Sequence, residues 1–349
     1  MKKIFAAFLA ALVLAVSLFG TSGCSGSKEE VNVYNWGEYI DESLLREFEK
    51  QTGIKVNYST FTSNEAMYSV LKTGGANYDV IIPSDYMISR LINEGMLEKL
   101  DFSNIPNYSL IDDKYKTPEY DPTGEYSVPY MTGTVGLIYN KAMIPDEIDS
   151  WGALFDERYA GQILMFDNSR DAFGIALKYL GYSLNTTNPD EIYEAYELID
   201  AQKAVRQAFV MDQIFDKLES GEAAIGPYYA GDYLIMLENN PDLEFVIPKE
   251  GTNRFVDAMC IPKGAKNKKN AELFINFMCG TDACLRNMEA VGYTSANREA
   301  CEQYAADLDE KARSIMFPGE DVLANTEVFL NLPPETLTLY DELWTKVKS

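Results

Sequence analysis

Hydrophobic and polar positions along this chain switch repeatedly between two periods. VNVYNW (31–36) places strand formers in alternation, and ESLLREFEKQTG (42–53) spaces Leu44, Leu45 and Phe48 on one helical face before Gly53 stops it. IKVNYSTF (54–61) reads as a second strand, and NEAMYSVLKTGG (64–75) as a helix capped by Asn64 and ended by Gly74. YDVIIPS (78–84) is a buried strand, after which DYMISRLINEGMLEKL (85–100) returns as helix. This alternation predicts an α/β layer with a largely parallel sheet.

The stretch EYSVPYMTGTVGLIYNK (125–141) is long, β-rich and broken by glycines, and is expected to carry the chain from one lobe into another. A second α/β pattern occupies the region from 150 to 240. LEFVIPKEG (243–251) and FVDAMCIPKGA (255–265) are further strands, and AELFINFMCG and TDACLRNMEAVGY (271–293) are helices. The basic run KGAKNKKN (263–270) reads as a solvated loop before a helix. Roughly 320 mature residues exceed what one core usually holds, so two lobes are expected. The division is 31–135 and 256–301 for the first lobe, and 136–255 and 302–349 for the second.

The first residues are of another kind. Lys2 and Lys3 precede an apolar run over 4–19, and Thr21, Ser22 and Gly23 lead to Cys24. This is an export signal over 1–23, of the sort that ends in a lipidated cysteine, with 24–30 as a polar tether. A plain secreted protein and an uncleaved anchor are the alternatives. The mature chain is expected outside the cytoplasmic membrane, lipid-anchored through Cys24.

Charge and composition narrow the functions further. The formal net charge is −24, and becomes −26 once Lys2 and Lys3 are removed. Phosphates would be repelled, so nucleic acid is excluded as a partner, whereas a cationic small molecule suits. The chain contains no histidine, which removes the usual general base, the Ser-His-Asp triad and the commonest metal ligand. Carboxylate-pair catalysis and lysine-based schemes survive, so an enzyme starts at a disadvantage, and neither a catalytic residue, a cofactor nor a metal is assigned. The four remaining cysteines, Cys260, Cys279, Cys284 and Cys301, lack a CxxC spacing and allow three pairings, among which the sequence does not choose.

In open α/β sheets ligands bind at the carboxyl ends of strands. Those ends here carry Trp36 and Tyr39, then Ser63, then Ser84 and Tyr86, with Glu38 in the first turn. Taken singly, each has a plainer reading. Trp36 could be a packing aromatic and Asp171 a helix-start charge favoured by the helix dipole. Tyr228 and Tyr229 could be turn aromatics. Asp257, inside the apolar run FVDAMCIP, is either an edge-strand surface residue or a buried charge seeking a partner.

Several segments in order resemble the spermidine/putrescine-binding proteins of bacterial ABC transporters. They are YNWGEYI, QTGIKVNYSTFTSNEAMY, YDVIIPSDYM, YSVPYMTGTVGLIYN, DNSRDAF, PKEGTNRFVDAMCIPKGAKN, INFM and VGYTSAN. The resemblance spans nearly all of the mature region. It implies the two-lobed periplasmic-binding fold, with ligand in the cleft between lobes that close by hinge bending. It also implies a monomeric protein that delivers its polyamine to a membrane permease. Residue by residue, it puts Trp36, Glu38 and Tyr39 in the first-strand motif, Ser84 and Tyr86 in the second turn, and Asn168 and Asp171 in the acidic turn. Tyr229, Asp232, Phe255, Asp257 and Tyr293 complete the set.

Some positions depart from the spermidine-preferring pattern. Asn168 stands where a carboxylate is usual, Tyr229 and Phe255 where tryptophans are usual, and Gly37 lacks a side chain. Phe329 falls near the place of a glutamine, while Asp232 matches a carboxylate of putrescine-preferring members. A polyamine joins ammonium groups by methylenes, so it needs anions at its ends and flat apolar walls between. Asp257 and Asp232 are assigned to one ammonium, and Asp171 with Glu38 to the other. Trp36, Tyr229, Phe255 and Tyr293 would sandwich the stem. Two rivals remain. One is a ferric-iron-binding protein of the same scaffold using Tyr228 and Tyr229. The other is a glycosidase built on a carboxylate pair.

Overall fold

The structure is a computed structural model, and it describes residues 29–74 and 77–349. The signal, Cys24 and most of the tether lie outside the described residues.

Among the described residues, eleven strands form one curled sheet. They are β1 (Glu30–Trp36), β2 (Lys55–Phe61), β3 (Val80–Ile81), β4 (Ser127–Asn140), β5 (Ile163–Phe166), β6 (Arg206–Val210), β7 (Ile225–Tyr229), β8 (Leu243–Val246), β9 (Thr252–Cys260), β10 (Thr294–Ser295) and β11 (Thr326–Glu327). The main order is β2-β1-β3-β9-β4-β7-β5-β6, with β8 and β10 also on β4 and β11 on β9. The α/β expectation is met, but the sheet is mixed. β1 runs parallel to β2 and β3, and β5 to β6 and β7. The central pair β4 and β9 is antiparallel to each other, and both meet their outer neighbours antiparallel. The sequence pattern missed this because its βαβ units sit at the two ends of the sheet, while the middle is made by two long strands far apart in sequence that pair antiparallel.

Three apolar clusters flank the sheet. One joins Val33, Phe48, Met131, Phe274 and Met288 on one face of the β1 end. A second, with Tyr34, Met67, Met87 and Ala258, lies on the opposite face. The third gathers Leu137, Trp151, Phe166, Phe173 and Tyr233, and includes Tyr340 and Leu343 of the C-terminal helix Pro334–Lys348. The strand over 127–140 pairs with β9 in its first half and with β7 and β8 in its second, so it links the clusters.

Local chemistry fixes the element ends. The helix Glu42–Thr52 starts on Asp41, which accepts from the Ser43 amide, and stops at Gly53 with φ 75°. The next helix, Asn64–Lys72, is capped by Ser63 rather than Asn64, whose side chain turns inward to Tyr86 and the Ser84 amide. The helix Asp85–Asn93 is shorter than its sequence suggested, because the chain turns at Gly95 with φ 65°. Cys260, Cys279, Cys284 and Cys301 are all free thiols.

Candidate functional site

The site is assembled around Tyr39 and Asp257. Between Pro129 and Met131 the β4–β9 register slips, leaving Tyr130 as a bulge residue. Its hydroxyl donates to the Tyr39 carbonyl at 2.6 Å and accepts from Asn287 Nδ2 at 2.7 Å. With its backbone pinned, Tyr39 donates its own hydroxyl to Asp257 Oδ2 at 2.7 Å. Asp257 Oδ1 is buried and has no hydrogen-bond partner. Only 5% of Asp257 is exposed, and burial pushes its carboxyl up to about 6 against the pull of Ser84 and Tyr39. Ser84 reaches it because the chain forms an isolated antiparallel bridge there, and the Ser84 hydroxyl does not cap its own helix.

Opposite, two acids stand in the first turns of helices. Asp171 lies in the helix Ser169–Leu180 and Asp232 in the helix Ala230–Asn239. A helix start favours negative charge, yet burial wins at both. Asp171, 8% exposed, is pushed up to about 7 by burial, which outweighs the neighbouring Arg170 guanidinium, while the Glu65 charge adds to the rise. Asp232 is also pushed up to about 7 by burial, although Tyr293 donates a hydrogen bond to its Oδ2. Arg170 does not neutralise these acids by a salt bridge. Its guanidinium bonds the Leu330 carbonyl and lies 4.6 Å from the Phe329 ring centre.

Rings pack together beside the acids. Tyr229 packs at 5.4 Å from Phe255 and 6.5 Å from Tyr293, and Phe255 at 5.5 Å from Tyr293. Tyr39 meets Tyr293 edge-on at 5.6 Å. The Tyr229 phenol is raised by burial first and then by Asp171, Tyr228, Asp232 and Asp257, so all three carboxylates reach one ring. Trp36 leans on Phe61 at 4.6 Å, with its indole N–H buried and unpartnered. Two backbones touch beside the rings. A Cβ on Gly231 would lie 2.1 Å from the Gly292 carbonyl oxygen, so no side chain fits there.

The expected residues divide as follows. Tyr39, Ser84, Tyr229, Asp232, Phe255, Asp257 and Tyr293 form one connected group through the contacts above, and Asp171 stands near enough for its charge to raise the Tyr229 phenol. Tyr86 sits at its edge, accepting from Asn64 and donating to Glu65 Oε1 at 2.9 Å. Asn168 spends its acceptor on the helix start, taking the Arg170 amide at 2.9 Å. Glu38 is exposed in a turn with φ 47°, and no hydrogen bond reaches its carboxylate among the described residues. Sequence reasoning passed over Asp85, Tyr130 and Glu65. Asp85 is 1% exposed and its carboxyl is driven up by burial, with the Asp257 charge adding to the rise. An acid directly after PS at a strand end was the signal for Asp85. Nothing in the sequence marked the bulge that aims Tyr130.

Tyr228, the other half of the iron reading, donates to Asp212 at 3.0 Å. Among the described residues no group of three His, Cys, Asp or Glu side chains could hold a metal ion.

Rings and carboxylates gathered without paired cations on a mixed sheet are the make-up of a solute-binding site. Residues 43–312 match the model of the bacterial extracellular solute-binding protein family, and the chain belongs to that family. It is similar to the spermidine/putrescine-binding periplasmic protein of Salmonella typhimurium, with 35% identity over 100% of this chain and 99% of the relative. Among solved structures, it superposes on a spermidine/putrescine ABC transporter protein from Listeria monocytogenes with TM-score 0.85 and 41% identity. That match covers 92% of this chain and 99% of the other. A spermidine/putrescine ABC transporter substrate-binding protein from Streptococcus pneumoniae matches with TM-score 0.81 and 36% identity, over 92% and 98% of the two chains. The two-lobed expectation for the fold is thereby met. The family is one of transport-linked binding proteins rather than an enzyme class.

Proposed function

We propose that this protein captures a polyamine, putrescine or spermidine, outside the cytoplasmic membrane and delivers it to the permease of an ABC transporter. One observation carries the reading. Three carboxylates near one ring cluster, Asp171 and Asp257 buried and Asp232 half-buried, have no salt-bridged cation, and one oxygen, Asp257 Oδ1, has no partner at all. Buried anions of this kind call for a cation from outside. A ligand with amines at its ends and methylenes between supplies charge to the acids and apolar surface to the rings.

In this reading Asp257 and Asp232 share one ammonium, because the Tyr39–Tyr293 contact joins their hydrogen bonds. Asp171 takes the other, with Glu65 in the role expected of Glu38, since the Glu65 charge reaches Asp171. Tyr229, Phe255 and Tyr293, with Trp36, wall the stem. Asp232 and the neutral Asn168 tilt the preference toward putrescine.

The lobes are proposed to divide at 135, 255 and 301; the separate apolar clusters on either side of β4 support the first two boundaries, while the helix Arg298–Asp307 runs across the third and Tyr304 and Phe317 pack on the first-lobe cluster. Lipidation of Cys24 and a monomeric state complete the proposal. Calorimetry with putrescine, cadaverine, spermidine and spermine tests it. Submicromolar binding of at least one is the expected order of affinity. Binding of none, or a coloured ferric complex, or turnover of a glycoside, would each overturn it.

A further inference from the structure

Beside the β4–β9 pair, a groove of 470 Å³ runs between these strands, Ala230 and Gly231, the segment 293–305 and the turn after the helix Glu310–Met316. Its size falls within the roughly 300–1,000 Å³ of small-molecule sites. Although the chain is strongly acidic, the groove is lined by Lys114, Arg254, Arg298 and Arg313 against only Asp112 and Glu302. Two of the four bases are occupied. Arg298 faces Asp112 at 3.6 Å, and Arg313 donates to the Ala305 and Leu308 carbonyls. Lys114 and Arg254 form no ion pair among the described residues.

The floor of this groove holds two unpartnered polar atoms. Arg254 Nε is buried without a hydrogen-bond partner, and so is Thr134 Oγ1, on a residue only 4% exposed. Thr134 and Arg254 are direct cross-strand partners, so both side chains leave the sheet on the same face. A planar guanidinium beside a hydroxyl offers donors in the geometry that fits a carboxylate. Beyond them Ile315, Met316 and Phe317 give the groove an apolar wall.

We propose that this groove is a second ligand site, which takes a small organic monocarboxylate, with its carboxylate on Arg254 and Thr134 and its apolar tail against 315–317. The site differs in charge from the polyamine site and adjoins it through Gly231 and Tyr293, while Arg254 and Thr134 leave the strands on the face away from Asp257.

The test uses the polyamine-free protein, titrated calorimetrically with phenylacetate, hexanoate and the neutral isostere phenylacetamide. The expected result is saturable one-to-one binding of phenylacetate below about 1 mM, with the amide weaker by about tenfold or more. Saturation with putrescine should leave that binding in place. Arg254→Gln and Thr134→Val should each weaken it by about fivefold or more. Thr134→Val keeps the side-chain shape and decides the matter if the arginine variant fails to fold. The proposal is overturned if neither acid saturates up to about 10 mM, far above the level of a specific site. It is also overturned if acid and amide bind alike, if putrescine displaces the acid, or if Thr134→Val binds like wild type.

Discussion

Replacing Asp257 by asparagine should move affinity and stability in opposite directions. In the empty protein this carboxyl is buried, accepts one hydrogen bond from Tyr39 and is raised from 3.8 to about 6. A group held so far up costs the folded state stability above that value, by about 3 kcal/mol at most at pH 7.5. The cost shrinks as the pH falls through 6 and is gone only below about pH 3, where folded and unfolded forms both carry the proton. The substituted carboxamide has no charge to bury, so the empty variant should melt higher than wild type at pH 7.5 and by a much smaller margin at pH 4. Binding should respond in the other sense. Losing a buried, hydrogen-bonded charge opposite an ammonium costs about 2–5 kcal/mol, or roughly 30- to several-thousand-fold in affinity. Calorimetry with putrescine and spermidine, paired with thermal melts at both pH values, reads both arms. Polyamine affinity within about threefold of wild type would refute the assignment of Asp257 to an ammonium. A lower melting point at pH 7.5 would refute the claim that its charge is uncompensated.

Three further outcomes are expected. Asp171 and Asp232 at about 7 and Asp257 at about 6 carry protons in the empty cleft that a bound ammonium would expel. Calorimetry at pH 6.5 in buffers of different ionisation enthalpy should therefore show release of about one to two protons per polyamine, and affinity should climb from pH 5 to 8; no release would contradict the charge pairing. Tyr39→Phe removes the donor to Asp257 and should weaken binding by about 5- to 50-fold with little change in melting, whereas unchanged affinity would show that the hydroxyl does not organise the acid. Gly231→Ala places a methyl against the Gly292 carbonyl; it should lower polyamine affinity by about tenfold or more through a wedged cleft while the empty protein still folds, and a normal affinity would mean that the two backbones need not touch.

Periodicity made the outer parts of the sheet legible, because each βαβ unit writes alternation and then a helical stripe into consecutive residues. The antiparallel centre was not legible, since strand direction depends on which distant strands pair, and Val128 meets Met259 across a long sequence gap. Asp257 could be singled out because a carboxylate in an apolar strand contradicts its surroundings. Asp171 and Asp232 needed a family resemblance, as an acid in a first helical turn is ordinary. The exposure of Glu38 was not legible, because a strand-end position says nothing of the turn that follows, which leaves this residue open to solvent. Asn168 has a carboxamide that a helix start can use, and local capping took it first.

The crowding of like charges about Tyr229 has a consequence for traffic at the membrane. An unloaded cleft that shuts must either bring three anions together or hold extra protons, and the second course grows harder as the pH rises above about 7. Cargo removes the conflict, so the compact shape itself certifies that something is on board. A permease sensing only that shape would rarely be engaged by empty carriers, and mild acid, by letting protons impersonate the amine, would erode the distinction.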